Sequence, residues 1–403
     1  MQYDWEIESF DFVGAYLNGE LDNKEVIYMQ SPPGYENDAH TVKRLQKSLY
    51  GLKQAGCKWY DTLVHTLNSL GFNTTHADPG VFYTHVKNDI LILAVHVDDC
   101  IFTGSSRKLI TLYKEKLNAC HVLTDLGPVH WLLGIKITRD RAAHTISLFQ
   151  SSFIDTILSC FSMTEAKPYS SPMVPGAIYG KKDSPSSPDE ATRMQRTPYR
   201  QVIGSLMYAA VATRPDIAFA VSILSHFLNN PGDVHWEAVK RVFRYLKSTK
   251  DFTLTYGGER HDIEGYADAD GGTQEDHHVI SGYTFLIDGG AISWEAKRQE
   301  LVTLSTAEGE YVAAMHAAKE ALWLHKLLAD IFPHLLHPLT TLYSNNQSAI
   351  KLATTDNYHA CTKHLNTRYQ FIWDLSNKSV IELCYCDKLC LPLSHDRGIP
   401  HVT

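Results

Sequence analysis

Residues 90–99 read ILILAVHVDD, and this stretch decides the fold of the first half of the chain. The run before the aspartates is apolar except for His96, which is typical of a buried strand. Two adjacent carboxylates, Asp98 and Asp99, follow it. Because neighbouring side chains of a strand point to opposite faces, both can reach one site only where the chain turns. The pattern predicts a strand–turn–strand hairpin, with Ile101 and Phe102 resuming the apolar pattern.

Length and composition are those of an ordinary globular protein. The chain has 403 residues, of which 44% are hydrophobic and 20% charged, and this excludes disordered, collagen-like and coiled-coil classes. No apolar run approaches the roughly 18–20 residues that span a bilayer, and the N-terminus has no signal-like core. We expect an intracellular protein without a membrane segment, and the sequence does not distinguish cytoplasm from nucleus. The net charge of −8 would normally count against nucleic acid as a partner.

Strand and helix patterns alternate along the chain, which predicts an α/β (α+β) fold. A stretch rich in proline and serine interrupts them and has the composition of a linker or mobile loop, with a long ordered surface loop as the alternative. A later helix carries a basic stripe that is either a solvated face or a phosphate-contacting surface. The predicted strands are 26–29, 90–97, 264–267, 282–287, 291–294 and 342–344. The predicted helices are 59–70, 152–160, a pair within 199–228 broken at Arg214-Pro215, 233–246 with Asp233 as N-cap, 305–328 and 347–353. The basic stripe comprises Lys240, Arg241, Arg244 and Lys247.

A third carboxylate, Asp11, precedes the apolar segment FVGAYL at 12–17. Three carboxylates from two elements suit a two-Mg²⁺ site for in-line phosphoryl transfer, with the metals about 4 Å apart. The alternative for the adjacent pair Asp98 and Asp99 is a polar turn without a metal.

Several longer strings occur in a fixed order and identify a resemblance. The strings are DFVGAYLNG at 11–19, SLYGLKQA at 48–55, HVDD at 96–99, LGIKI at 133–137, GSLMY at 204–208 and ATRPDI at 212–217. On these strings the chain resembles the reverse transcriptase and RNase H region of copia-type LTR retrotransposon Pol polyproteins, from about residue 5 to residue 386.

The resemblance implies an RNA-directed DNA polymerase that uses an RNA template, a DNA primer, deoxynucleoside triphosphates and Mg²⁺. Asp11, Asp98 and Asp99 would be its catalytic, metal-binding carboxylates. Two departures weaken this expectation: Gly56-Cys57 stands where the family has Pro-Arg, and His96 replaces an aromatic residue. No membrane partner is expected from the absence of a long apolar run, and the oligomeric state stays open.

Three further residues would serve the nucleotide site by resemblance. Tyr16 would be the aromatic gate that excludes a 2′-hydroxyl, and a core tyrosine is its alternative. Gln54 would lie near the incoming nucleotide and the template base. Lys53 would contact a phosphate, unless it is an ordinary surface lysine.

The second half resembles the RNase H pattern of the same family. Asp268, in the string GYADAD at 265–270, and Glu310, on a helix opened by Ser305 and Glu308 as a capping box, would be catalytic and metal-binding. The third position, an aspartate in the family, is Asn345. Because a neutral amide removes charge that binds the metal, RNase H activity is expected to be absent or severely weakened.

The resemblance also implies a domain order. Residues 1–167 would be a polymerase palm and thumb with the fingers missing, 168–198 a linker, 199–256 a helical connection, 257–386 an RNase H-like domain and 387–403 a divergent tail. Two interpretations of function stay open. The chain is either an impaired polymerase or an inactive, decayed or domesticated element fragment that at most binds nucleic acid.

Overall fold

The computed structural model describes most of the chain, in two compact units. The described residues are 4–22, 24–35, 42–257, 262–270, 278–300, 302–303, 305–333, 339–354 and 366–387, so the predicted tail lies outside them apart from its first residue. One unit comprises Tyr3–Leu133 and Lys326–His334; the other comprises mainly Gly134–His325 and the described residues after 338. The predicted mixed α/β fold is confirmed. None of the helices in these described stretches combines the length and the apolar character needed to cross a membrane.

Strands and helices alternate as follows. The strands are β1 (Glu6–Phe12), β2 (Tyr28–Gln30), β3 (Val42–Arg44), β4 (Asn73–Thr74), β5 (Val81–Val86), β6 (Asp89–His96), β7 (Asp99–Gly104), β8 (Leu123–Pro128), β9 (Trp131–Leu132), β10 (Ile135–Asp140), β11 (Thr145–Phe149), β12 (Leu254–Tyr256), β13 (Glu264–Asp270), β14 (Ile280–Ile287), β15 (Gly290–Arg298), β16 (Thr340–Ser344) and β17 (Ile381–Tyr385). The helices are α1 (Ala55–Ser69), α2 (Arg107–Cys120), α3 (Ser151–Cys160), α4 (Pro188–Gln195), α5 (Tyr199–Ala212), α6 (Ala218–Ser225), α7 (Asp233–Ser248), α8 (Thr306–Ile331), α9 (Gln347–Thr354) and α10 (Asn366–Asn377).

The first unit is built on an antiparallel sheet in the order β4-β5-β6-β7-β1-β8. Side chains alternate across it, so Phe10 and Phe12 of β1 and Phe102 of β7 face one side. There they form a core with Leu63 and Leu67 of α1 and with apolar residues of α2. Residues at the intervening positions of β1 and β7 face the other side, and this alternation decides where the acidic side chains emerge.

The other unit contains a helical layer and a mixed sheet. Helices α3, α5, α6 and α7 share one apolar core. The sheet has the order β15-β14-β13-β16-β17, in which β13, β14 and β15 are antiparallel neighbours and β16 and β17 run parallel to β13. A parallel neighbour requires a crossover, and α8 lies in the connection between the antiparallel part and β16.

The predicted elements overlap the observed ones, with corrections at two helix starts: α1 begins at Ala55 rather than at Trp59, and the cap of α7 differs. The hairpin predicted from 90–99 is β6 and β7, in which His96 pairs with Asp99. Asp233 was predicted to cap the helix over 233–246. The N-cap is instead Gly232, whose N–H donates to Nδ1 of His235 at 2.9 Å, and Asp233 is the first helical residue. The sequence pattern favoured an acidic cap because it does not reveal that a histidine side chain satisfies the cap from inside the helix.

The proline- and serine-rich stretch 168–198 contains ordered structure. It includes α4, and the side chains of Tyr179 and Met194 are buried. Its many proline, serine and charged residues suggested a linker, but the buried side chains of Tyr179 and Met194 anchor it to the rest of the protein. The domain boundaries themselves stay predictions.

The basic stripe on α7 holds part of this stretch. The guanidinium groups of Arg241 and Arg244 lie 4.2 and 3.8 Å from the ring centroid of Tyr169. Nζ of Lys247 donates to the carbonyl oxygen of Ala166 at 3.0 Å. Arg241, Arg244 and Lys247 therefore contact Tyr169 and Ala166 of the protein itself, besides any solvent around them.

Candidate active site

Asp11 and Asp99 lie opposite each other on neighbouring strands. The register pairs Asp11 of β1 with Asp99 of β7. Phe10 and Phe12, which flank Asp11, and Cys100, which follows Asp99, are buried in the core. Alternation therefore sends both carboxylates to the face of the sheet that is turned away from this core.

Asp98 lies in the two-residue turn that joins β6 to β7. Its carbonyl oxygen accepts a hydrogen bond from the N–H of Phe12 at 3.2 Å, which brings the turn beside the end of β1. The preceding residue, Val97, has φ 62° in the left-handed region. Asp11, Asp98 and Asp99 are thus neighbours, as expected from the sequence.

The three carboxylates interact electrostatically. Burial raises the pKa of Asp11, and the nearby charges of Asp98 and Asp99 raise it further. Burial, followed by the same three carboxylates, raises the pKa of the Cys100 thiol well above its usual value, so this side chain stays neutral behind the site. Mutual repulsion of this kind is relieved by a bound cation.

The residues predicted to serve a nucleotide site lie around the start of α1. Tyr16 is half-buried, and its ring packs against that of Tyr50 with a centroid distance of 4.9 Å. Ser48 Oγ donates to the carbonyl oxygen of Tyr16 and fixes this segment. A Cβ added at Gly56 in the first turn of α1 would lie 3.9 Å from the Tyr16 hydroxyl, so Tyr16 lies beside the helix start.

Gln54 is the N-cap residue of α1 and is half-buried, whereas Lys53 before it is exposed. Both therefore lie at the end of the helix that Tyr16 approaches. The structure agrees with a surface position for Lys53 and leaves its proposed phosphate contact a prediction.

In the second unit, the structure brings Asp268 and Asn345 together. Asp268 is near the end of β13, and Asn345 directly follows β16, which runs parallel to β13. Asn345 Nδ2 donates to Asp268 Oδ1 at 3.2 Å. The amide therefore stands against the carboxylate that the family resemblance assigns to metal binding.

Glu310 lies in the second turn of α8 and is 8% exposed. The start of α8 is held by Ser305, whose Oγ accepts from the N–H of Glu308 at 3.2 Å as the capping box predicts. Buried Gln299 also holds it, because its Nε2 donates to the carbonyl oxygen of Gly309 at 2.9 Å and to Ser281 Oγ at 2.8 Å. Gln299 was missed from the sequence, where a glutamine beside charged residues gives no signal of burial.

Carboxylate oxygens are the donors that Mg²⁺ prefers, and the repulsion at Asp11 suits a dication. In this respect the polymerase-like carboxylates fit a magnesium site. Across the described part of the chain, however, no three His, Cys, Asp or Glu side chains are close enough to hold a metal ion as they stand. At Asp268 the neighbour is an amide donor, which does not fit a metal.

Comparisons with known proteins agree with the strings quoted above. The family model for reverse transcriptase (RNA-dependent DNA polymerase) matches residues 1–175. The chain is 30% identical over 311 residues to the putative transposon Ty5-1 protein of Saccharomyces cerevisiae, covering 98% of that protein and 76% of this chain. The chain belongs to the copia-type retrotransposon Pol family.

Longer relatives of this copia-type Pol chain are plant polyproteins. It is 41% identical over 376 residues to the retrovirus-related Pol polyprotein from transposon TNT 1-94 of Nicotiana tabacum, covering 92% of this chain and 28% of the relative. It is 31% identical over 401 residues to the Pol polyprotein from transposon RE2 of Arabidopsis thaliana, covering 97% of this chain and 27% of the relative. The copia-type Pol chain thus spans about a quarter of the length of these two relatives.

Proposed function

We propose that this chain catalyses metal-dependent nucleotidyl transfer at Asp11, Asp98 and Asp99, extending a DNA primer on an RNA template. The observation that carries the proposal is the register that sets Asp11 opposite Asp99, with Asp98 in the adjoining turn. Membership of the copia-type Pol family supports the reaction class. Deoxynucleoside triphosphates, primer and template are the proposed substrates.

Each residue has a distinct task in this proposal. Asp11, Asp98 and Asp99 would hold Mg²⁺, which stabilises negative charge on the reacting phosphoryl group and on the attacking 3′-hydroxyl when bound. Tyr16 presents bulk where a 2′-hydroxyl would sit and so selects deoxyribonucleotides. Gln54 and Lys53, at the start of α1, would contact the nucleotide from the helix end.

Primer extension tests the polymerase proposal directly. Purified full chain is supplied with an RNA template, a DNA primer, deoxynucleoside triphosphates and Mg²⁺. The variant Asp98→Asn/Asp99→Asn should lose at least about a hundredfold in rate, since it removes charge that stabilises the transition state. Glu115→Gln, which changes an exposed carboxylate on α2, is the matched control and should extend as the wild type does. Equal extension by wild type and the double variant would contradict the proposal.

The RNase H-like site is proposed to be defective. Asn345 carries no charge and donates to Asp268, so the pair supplies less negative charge than two carboxylates would. We expect no cleavage of an RNA/DNA hybrid above that of an Asp268→Asn variant. Robust cleavage by the wild type would contradict this part of the proposal.

The alternative function is that of an inactive element fragment that at most binds nucleic acid. The hydrogen bond between Asn345 and Asp268 favours it, because an amide that donates to this carboxylate supplies less negative charge for a metal than a second carboxylate would. Primer–template binding without extension would select this alternative.

A further inference from the structure

The turn formed by Val97 and Asp98, which leads directly into Asp99, has a backbone conformation that valine disfavours. Val97 has φ 62°, which a β-branched residue rarely adopts because its Cβ crowds the backbone. Such a conformation persists only where surrounding contacts impose it. The position of both carboxylates therefore depends on what holds Val97.

Trp59 of α1 makes the contact that holds it. Its side chain is 2% exposed, and its indole Nε1 donates to the carbonyl oxygen of Val97 at 2.7 Å. The indole ring is itself fixed by edge-to-face packing against Phe12 and against His121, with centroid distances of 5.1 and 5.4 Å. A rigid, buried donor is thus aimed at the strained residue.

Phe12 links β1, the strand that carries Asp11, to Trp59 and to the turn at Val97 and Asp98. It follows Asp11 in β1, its ring lies against Trp59, and its N–H donates to the carbonyl oxygen of Asp98. One indole therefore contacts both elements, through a hydrogen bond to the turn and through ring packing beside Asp11.

We propose that Trp59 is a positioning residue, which holds the turn so that Asp11, Asp98 and Asp99 can bind a divalent metal together. The role rests on the proposed polymerase function, which supplies the reason for the three carboxylates to converge. Trp59 acts through Val97 and Phe12, since it is buried beneath the site. Losing a group that orients metal ligands typically weakens metal binding by about 10- to 100-fold.

The first test uses the full chain and Mn²⁺ as the probe. Free Mn²⁺ is measured by electron paramagnetic resonance, and the binding that remains in Asp98→Asn/Asp99→Asn is subtracted. Trp59→Phe keeps an aromatic ring and removes the N–H, so it should weaken Mn²⁺ binding by about tenfold or more. Trp131→Phe, at a tryptophan that is 50% exposed, is the control and should bind as the wild type does. Unchanged Mn²⁺ affinity in Trp59→Phe would overturn the proposal.

A variant that relieves the strain at Val97 tests whether Trp59 acts by holding this strained residue. Glycine adopts positive φ readily, so the turn in Val97→Gly should no longer depend on the indole. In that background Trp59→Phe should change Mn²⁺ affinity by no more than about twofold. A loss of the same size in both backgrounds would show that the indole acts by another route and would overturn the proposal.

Hydrogen exchange separates this role from the polymerase function. Trp59→Phe should speed amide exchange in a peptide covering 96–100 by about fivefold or more, while exchange in α2 stays unchanged. If the wild type binds no Mn²⁺ beyond the double variant, the proposed function fails, and unchanged exchange over 96–100 still overturns the role of Trp59. If Trp59→Phe does not fold, a tryptophan analogue with sulfur in place of the N–H takes its place with the same expectations.

Discussion

At position 345 an amide takes the place that the family gives to a carboxylate. Asn345 Nδ2 donates to Asp268 Oδ1. The partial positive charge of this amide N–H compensates part of the negative charge of the carboxylate. An ion would supply the same compensation in a two-carboxylate site. The consequence is that Asp268 is satisfied without a metal.

We predict that Asn345→Asp reverses this situation. Two adjacent carboxylates repel each other, so the variant should lose on the order of 1 kcal/mol of unfolding free energy in chelator. Mg²⁺ or Mn²⁺ should restore it, because an ion that binds only the folded state stabilises it. Urea unfolding with and without the ion measures both effects.

The neighbouring Asn346→Asp variant is the control for that experiment. Asn346 Oδ1 accepts from the N–H of Ala349 at the start of α9, a position where aspartate is equally suitable. It should lose no stability in chelator. Identical behaviour of the two variants would contradict the special role of Asn345.

Among the elements, α1 has the widest influence on the polymerase-like site. Its first turn lies beside Tyr16, and Trp59 one turn later donates to the carbonyl oxygen of Val97, beside Asp98. The first turn contains Gly56, and glycine is a poor helix former because it loses more backbone freedom on folding than other residues.

We predict that Gly56→Ala stabilises the chain by about 0.5–1 kcal/mol. The added Cβ would meet only the Tyr16 side chain, at 3.9 Å from its hydroxyl and 4.0 Å from its ring, which is ordinary van der Waals contact. Gly51→Ala is the matched control, since Gly51 has φ 92° and alanine there should destabilise by a similar amount or more. Urea midpoints of the two variants should move in opposite directions, and a shift of both in one direction would contradict the argument.

The side chain of a buried histidine, His235, caps the start of helix α7. His235 stacks on the ring of Phe227 at a centroid distance of 3.8 Å, and its Nδ1 accepts from the N–H of Gly232. Burial lowers the pKa of His235, while the charge of Asp183 opposes that shift. The neutral ring is therefore the form that fits the fold.

We predict a loss of stability in mild acid from this residue. The unfolded histidine titrates near 6.5 and the folded one below it, so the unfolded state binds more protons in this range. Stability should be constant above the unfolded pKa and fall as the pH drops below it. His235→Gln should have a shallower slope of unfolding free energy against pH between 7 and 5. Exposed His130→Gln should keep the wild-type slope, and an unchanged slope in His235→Gln would contradict the prediction.

Each element predicted from the sequence overlaps an observed one, but several observed elements, including β1 and α2, were not predicted. The apolar run before Asp98 and Asp99 predicted β6 and the hairpin, because burial and alternation are local properties. The pairing of Asp11 with Asp99 depends on contacts between distant strands; the sequence grouped the two carboxylates at one candidate metal site, but it contained no signal for the register of β1 and β7. Apolar periodicity placed Trp59 on a helix, yet no pattern reports which carbonyl an indole N–H reaches. Strand β11, half-buried along its length, showed no clear alternation and was not predicted.

At the scale of the whole molecule, charge is distributed unevenly. The net charge is −8, and part of the positive charge is engaged within the protein. Arg241, Arg244 and Lys247 bind the segment at 166–171. Exposed cations elsewhere, such as Lys53, are better placed for a phosphate.

We predict that these two kinds of cation differ in a salt titration. Primer–template affinity, followed by fluorescence anisotropy from about 50 to 200 mM salt, should fall as salt rises. Lys53→Gln should reduce the slope of log affinity against log salt by about 1. Arg244→Gln should leave that slope unchanged and instead increase proteolysis near Tyr169. A reduced slope in Arg244→Gln would show that the stripe contacts phosphate after all.

The pairing of β1 with β7 has a consequence for the gene that encodes it. A strand that slips by one residue turns every side chain to the other face, so deletion of a single codon within β1 would send Asp11 into the aromatic core. A codon lost near the exposed residues Val174 and Ile178 leaves the pairing of β1 untouched. Among genomic copies of this element, in-frame length changes should therefore accumulate in such loops, and a copy with one inside β1 or β7 has lost the pairing of Asp11 with Asp99 even with an open reading frame.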